Sequence, residues 1–373
     1  MTAQIDGIIL TPHGFVRGTL RHAQGRIVAL EGEAVGEDVA RQGAVVLPGF
    51  VDLHVHGGGG RDTMEGGDAA AAIAKIHVRH GTTSMLATTM TAPLDEIRTA
   101  LAALAPACRE RAPNAGRLLG VHLEGPYISP GKLGAQPDFA KLATIDEIRA
   151  LSAIAPIRLI TVAPELPGML AMIGPLREAG FRVQIGHTLG TYEDGVAALG
   201  EGAGSFTHLF NAMTGLHHRE PGMVGAALAH AQYAEIIPDL LHVHAGAVRV
   251  ALRSIPCMYC VTDSTAAAGM PDGEYRLGRH KVMKCMGGVR LPDGTLAGST
   301  LTMDQALRNL VQTLGLTLAD ASRRVSTHAA DFMGLQDRGR LAVGAWADLV
   351  VMDRDLQLQR VVVEGDEIDL ANA

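Results

Sequence analysis

Seven side chains in this sequence share one trait: each lies at or near the end of a strand-like run. They are His54, His56, Glu124, His187, His208, Asp239 and Asp263. Imidazole nitrogen and carboxylate oxygen are the donors that zinc and similar divalent ions take. His54 and His56 lie one residue apart in Phe50-Val51-Asp52-Leu53-His54-Val55-His56. Alternate residues of a strand share a face, so both imidazoles point the same way. Glu124, His187 and His208 make a three-ligand site with a position left open for water. Near such an ion, water falls toward a neutral pKa and becomes a nucleophile. His54 and His56 can hold a second ion, with Glu124 as the bridge. Asp263 is placed as the general base, able to return its proton to a leaving nitrogen.

Strands must carry these residues to one place. The candidates are 50–56, 83–88, 118–124, 159–163, 181–187, 205–208, 235–239 and 258–263. Helical patterns lie between them, over 68–80, 94–105, 145–154, 168–179 and 192–199. This alternation predicts an α/β fold, a (β/α)8 TIM-like barrel, whose active site gathers at the strand C-termini. A doubly wound sheet would instead show a glycine-rich nucleotide fingerprint, and the chain has none. Strand-like pieces at 5–10, 15–21, 26–30, 44–47, 347–353 and 358–363 predict a small β-sandwich domain built from both termini. The expected division is 1–48 with 340–373 for that domain and 49–339 for the metal-dependent hydrolase barrel. After Asp263, a hairpin around Pro292-Asp293-Gly294 and helices near 301–314 and 320–333 are expected.

Composition narrows the function. The net charge of −7 argues against nucleic-acid and anionic-membrane partners. With 3% aromatic residues, the core must be built from Ala, Val, Leu, Ile and Met. Four cysteines in 373 residues make no disulfide framework. Cys257 and Cys260, three apart in a strand-like run, face opposite sides and read as buried thiols. No secretory leader pattern or membrane-length apolar run is present, so a cytoplasmic location is expected. Gly131-Lys132-Leu133 lacks the Ser or Thr of a nucleotide-binding loop, and Gly57–Gly60 reads as a tight turn.

Longer motifs are more specific. His122-Leu123-Glu124-Gly125-Pro126-Tyr127, Gly186-His187-Thr188, His208-Leu209-Phe210-Asn211-Ala212-Met213, Arg219-Glu220-Pro221-Gly222 and Val261-Thr262-Asp263 occur in this order. The chain thereby resembles the N-acetylglucosamine-6-phosphate deacetylases of the amidohydrolase superfamily, over nearly its whole length. The resemblance implies hydrolysis of an N-acetylated amino-sugar phosphate to the free amino-sugar phosphate and acetate. It implies a metal on Glu124, His187 and His208, with Asp263 transferring the proton. Zinc fits, as do iron(II), manganese(II) and cobalt(II), as one ion or, with His54 and His56, two. Asn211 and Ala212 would touch the sugar, Arg219 and His242 would hold the 6-phosphate, and Leu296, Ala297 and Gly298 would close over the substrate. The resemblance also implies a homodimer whose neighbouring subunit completes the phosphate site. His122 or His242 would assist at the tetrahedral stage. His244, His217 and His218 are expected outside the site.

Two departures bear on the sugar. Many relatives carry a histidine in the Lys-x-Gly-x-His segment, and this chain reads Lys132-Leu133-Gly134-Ala135-Gln136. Gln136 donates and accepts hydrogen bonds but carries no charge. Leu240, in Asp239-Leu240-Leu241-His242, adds bulk near the sugar or phosphate. N-acetylgalactosamine 6-phosphate or another N-acyl amino sugar is therefore the nearest rival substrate. A cyclic amidohydrolase would carry a lysine at the fourth strand's end, where this chain has Ala163. A non-catalytic sugar-phosphate sensor would lose the proton shuttle, and Asp263 is present.

Overall fold

The computed structural model describes residues 2–371. Eight strands form the body: β1 (Phe50–Val55), β2 (Thr82–Thr89), β3 (Arg117–Glu124), β4 (Ile157–Val162), β5 (Arg182–Ile185), β6 (Ser205–Phe206), β7 (Glu235–Ile236) and β8 (Tyr259–Cys260). β1 to β6 pair in parallel in sequence order, as do β7 and β8. The Leu209 amide donates to the Glu235 carbonyl at 2.9 Å, joining β6 to β7. The Asp263 amide donates to His54 O and the His56 amide to Ser264 O, both at 2.9 Å, so the last strand closes on the first. This is the expected barrel. Its strands are buried on both faces, as Thr82–Thr89 is along its whole length.

Alternation along each strand decides what faces inward. In β1, Leu53 and Val55 belong to the apolar core under the helices, while Asp52 and His54 take the other face. In β3, Val121 and Leu123 face that core, and His122 and Glu124 face the barrel axis. The helices follow the same logic. Leu94–Arg109 buries Ile97, Leu101, Leu104 and Ala105, one stripe at helical spacing. Ile145–Ser152 starts where Thr144 accepts the Glu147 amide, a cap worth about 1 kcal/mol.

Both termini enter one seven-stranded, mainly antiparallel sheet. The strands Thr2–Thr11, Gly14–Ala23 and Arg26–Val35 lie on one side of Val45–Pro48, with Leu349–Met352, Leu358–Val363 and Asp366–Glu367 on the other. One face gathers Ile9, Leu20, Ile27, Val46, Leu349 and Val362 with Leu341 and Ala347. The alternate residues Leu10, Val45, Leu47, Val350 and Val363 join the main core.

Past Ser264, Gly273–Leu277, His280–Cys285 and Gly288–Arg290 build a three-stranded antiparallel sheet. The expected turn at Asp293 follows it, with the Asp293 carboxylate accepting the Thr295 amide at 2.9 Å. The chain then forms Met303–Arg308, Leu318–Val325 and Thr327–Phe332. All four thiols are free; Cys260 is buried as expected, but Cys257 is only partly buried, because it lies in the turn before the strand Tyr259–Cys260 and not on it. No helix among the described residues is long and apolar enough to cross a membrane.

Candidate active site

The strand C-termini bring the predicted donors together. Glu124 Oε1 lies 3.2 Å from His187 Nε2 and 3.2 Å from His208 Nε2. The same oxygen is 3.3 Å from His54 Nε2, and Glu124 Oε2 is 3.1 Å from His56 Nε2. Asp263 Oδ1 is 3.4 Å from His54 Nε2 and 3.3 Å from His56 Nε2. Among the described residues three donor groups result: Glu124/His187/His208, His54/His56/Asp263 and, beneath them, His54/His122/Glu235; Glu124 touches both of the first two triads.

Hydrogen bonding alone does not explain this cluster. His187 Nε2 and His208 Nε2 stand 3.1 Å apart, and His54 Nε2 and His56 Nε2 stand 3.2 Å apart. The other nitrogen of His54 faces Glu235 Oε2 at 3.0 Å, and that of His187 faces the Lys132 carbonyl at 2.9 Å. Each of those contacts calls for a proton on Nδ1. Nε2 is then the nitrogen turned toward the neighbouring donors, the orientation that a hydrogen bond to Nδ1 gives a metal-ligating imidazole. Tetrahedral ligands about 2.0–2.1 Å from a shared ion lie about 3.3 Å from one another. The donor separations match. The residues present therefore fit a divalent cation, held by Glu124, His187 and His208, with His54, His56 and Asp263 able to take a second.

The electrostatics agree. Burial opposes charge on His54, yet Glu124, Asp263 and Glu235 outweigh it and raise the imidazole well above 6.5. Burial likewise opposes charge on His56, but Asp263 and Glu124 push it up to about 9. The cluster draws positive charge, as protons or as a cation. Asp263 shows the converse. Burial raises it, but the neighbouring His54 and His56 bring it down to about 2, so it is an ionised base.

Three of these residues sit in strained backbone. His187 (φ 48°), His208 (φ 29°) and Asp263 (φ 50°) all leave their strands in the left-handed region. Such conformations cost about 1–3 kcal/mol each and persist where the surroundings impose them. Gly125, also at positive φ, lets the chain leave Glu124 past Thr91. A side chain there would overlap the Thr91 hydroxyl.

Above the donors lies a pocket of about 380 Å³. Of the expected substrate residues, Ala135, Gln136, Asn211, Ala212, His242, Leu296 and Gly298 line it, with His56, Glu124, His187, His208 and Asp263 at its floor. Ala297 does not; it is fully buried, and its amide donates to the Val289 carbonyl. Arg219 stands in the exposed loop after Asn211 and is not part of the lining. Leu240 differs from expectation too. It packs partly buried against the apolar core, and His242 reaches the pocket instead. His244 caps the helix Ala245–Ser254 by accepting the Gly246 amide, and His217 and His218 are exposed, all three outside the lining.

Asp239, one of the strand-end carboxylates, serves His242. Its Oδ2 is 2.6 Å from His242 Nδ1, and its Oδ1 accepts the His242 amide at 2.9 Å. Burial lowers His242, but Asp239 outweighs it and shifts the imidazole upward. His122 is fully buried beneath the site, 2.7 Å from the Thr161 hydroxyl, and burial keeps it well below 6.5. It is a neutral floor residue and does not line the pocket.

Sequence reading missed Glu235 and Gln184. Glu235 receives His54 Nδ1, the His208 amide at 3.1 Å and Gln184 Nε2 at 3.0 Å, while wholly buried. The available signal was a carboxylate inside Ala234-Glu235-Ile236-Ile237, where burial demands a partner. The role of Gln136 is likewise new. Its amide nitrogen donates to Glu124 Oε2 at 2.5 Å and its oxygen accepts the Thr91 amide at 2.7 Å.

Comparison with known proteins places this arrangement. Residues 45–368 match the model of the amidohydrolase family. N-acetylgalactosamine-6-phosphate deacetylase of Escherichia coli O157:H7 is 39% identical, over 96% of each chain. N-acetylglucosamine-6-phosphate deacetylase of Lysinibacillus sphaericus is 39% identical, over 92% of this chain and 88% of its own. Among solved structures, a mutant N-acetyl-D-glucosamine-6-phosphate deacetylase from Mycobacterium smegmatis, in complex with N-acetyl-D-glucosamine-6-phosphate, superposes with a TM-score of 0.89. It is 34% identical, and the alignment spans 99% of both chains.

Proposed function

On the premise that the chain belongs to the amidohydrolase family, and within it to the N-acetylglucosamine-6-phosphate deacetylases, we propose that it hydrolyses N-acetylglucosamine 6-phosphate to glucosamine 6-phosphate and acetate. One observation carries the reading: Glu124, His187 and His208 converge on one point at the floor of a pocket, beside an ionised Asp263.

Glu124, His187 and His208 would hold a divalent cation, zinc by preference, which would supply Lewis acidity toward the acetyl carbonyl and toward water. The chain's own residues do the rest. Asp263 takes a proton from the water that adds to the carbonyl carbon. It then delivers that proton to the amide nitrogen as the C–N bond breaks, so water is divided between acetate and the freed amine. Asn211 and Ala212 orient the sugar at the pocket wall. His242, fixed by Asp239 and biased toward its charged form, offers Nε2 to the phosphate. Arg219 lies outside its own chain's pocket lining. We assign it to the phosphate of a neighbouring subunit, in a homodimer, where its planar fork suits phosphate oxygens. The segment from Thr295 to Gly298 covers the substrate. The unpaired thiols suit a reducing cytoplasm.

The galactosamine epimer is the second reading, because the Escherichia coli relative of that name is equally similar. Acetate release from both N-acetylhexosamine 6-phosphates, measured alongside metal content, tests the proposal. Turnover of the glucosamine epimer with at least one bound divalent ion is expected. No acetate from a metal-replete sample would overturn it, and preference for the other epimer would favour the second reading. Arg219→Ala is expected to raise KM about tenfold for the phosphorylated sugar and to leave the unphosphorylated sugar unchanged. Equal effects on both sugars would remove Arg219 from the phosphate site.

A further inference from the structure

The opposite end of the barrel holds a second pocket of about 300 Å³. β4 and β5 begin there with Arg158 and Arg182, and the helix Met169–Glu178 adds Arg177. Leu119, Phe181, Met333 and Leu335 form an apolar wall. This volume is at the small end of ligand pockets and suits something of sugar-phosphate size.

The three guanidiniums make no ion pair or hydrogen bond among the described residues. Elsewhere the arginines are mostly paired, as Arg26 is with Asp337, Arg117 with Glu364 and Arg360 with Glu367. A chain of net charge −7 thus exposes three cations side by side, with no ion-pair partner among the described residues. Each of these exposed side chains lies over a glycine. A side chain at Gly202 would come 2.7 Å from Arg177 Nη1, and one at Gly334 2.7 Å from Arg182 Nη2. One at Gly120 would come 2.6 Å from Arg158 Cγ. All three glycines have positive φ, at 102°, 74° and 150°. Each arginine therefore occupies room that a glycine leaves open.

Guanidinium forks match phosphate oxygens in pairs, and the apolar wall suits a carbon body. We propose that this pocket binds a small phosphate-bearing metabolite, at a site separate from the mouth where acetyl hydrolysis occurs.

Isothermal titration tests it, with inorganic phosphate and with fructose 1,6-bisphosphate as probes. The metal-loaded protein is compared with the variant carrying Arg158→Gln, Arg177→Gln and Arg182→Gln together, at one ionic strength. Binding at the mouth contributes equally to both proteins. The unmodified chain is expected to take up one equivalent more than the triple variant. Each single Arg→Gln change is expected to weaken that equivalent about tenfold. Deacetylation without added probe is expected to keep its kcat/KM in every variant, which shows the fold intact. Tighter binding of the bisphosphate supports recognition of the carbon body along with phosphate. Equal stoichiometry and affinity in the unmodified chain and the triple variant, with both probes, overturns the proposal and leaves the arginines as a solvated basic face.

Discussion

Two buried polar clusters in this molecule are built from the same kinds of group and behave oppositely. At the junction of the terminal sheet with the barrel, Arg338 meets Asp348 and Glu364, and Arg117 reaches Glu364 at 2.7 Å. The Glu364 amide donates to Asp348 Oδ1 at 2.7 Å. Cations and anions there are matched, and donors find acceptors. At the barrel mouth, the carboxylates of Glu124, Asp263 and Glu235 face imidazoles and the amides of Gln136 and Gln184, with no arginine or lysine, and the imidazole Nε2 atoms face one another. His56 Nδ1 and His208 Nδ1 are buried with no partner among the described residues. Burial is equal in kind, but only the first cluster is complete in itself. A buried polar cluster becomes a binding site when its own groups cannot satisfy one another.

The largest effect is expected from Asp263→Asn, which removes the base and keeps the shape. Turnover is expected to fall about a thousandfold or more, while metal analysis still finds an ion on Glu124, His187 and His208. Loss of the metal with the activity would make Asp263 chiefly a ligand. Glu124→Gln breaks the mouth cluster itself, because Glu124 touches both triads. Metal content measured by elemental analysis is expected to drop severalfold, with little loss of thermal stability at saturating metal. Unchanged metal content would break the comparison.

Arg338→Ala is the counterpart at the junction. Breaking one partner of a buried pair costs about 3–5 kcal/mol, read as a lower denaturation midpoint. Metal content and kcat per folded molecule are expected to hold. If instead activity falls at constant stability, the two clusters are coupled. The smallest effect is pH dependence. Burial raises Glu364, but Arg117 and Arg338 outweigh it and bring it from an ordinary 4.5 to about 2. A depressed carboxyl pKa stabilises the fold above the unfolded value and loses that contribution as pH falls. Denaturant unfolding is therefore expected to show stability declining between about pH 4.5 and pH 2, less steeply in Glu364→Gln. Identical slopes would remove Glu364 from the matched cluster.

Much of the site was legible because strand periodicity and burial leave marks in the sequence. His54 and His56 share a face by their spacing alone, and a titratable residue closing an apolar run is hard to explain as packing. The partners that depend on neighbouring strands left weaker marks. Glu235 looked like the start of a strand, and only barrel closure sets it against His54 Nδ1. Asp239 carried the same strand-end signature as the metal donors, yet it turns to hold His242. The three-stranded sheet from Gly273 to Arg290 was also missed, since its alternating residues are largely exposed and no strong apolar pattern marks them.

The sequence by itself determined the barrel, the terminal strands and the donor set, since these follow from local periodicity and from which residue types tolerate burial. Only the tertiary structure decided that Glu124 faces both triads, that Gln136 holds one of its oxygens and that Arg219 stands away from its own pocket. Those facts depend on distances between strands and loops remote in the chain, and on left-handed turns at His187, His208 and Asp263 that the surrounding packing imposes. No local preference encodes them.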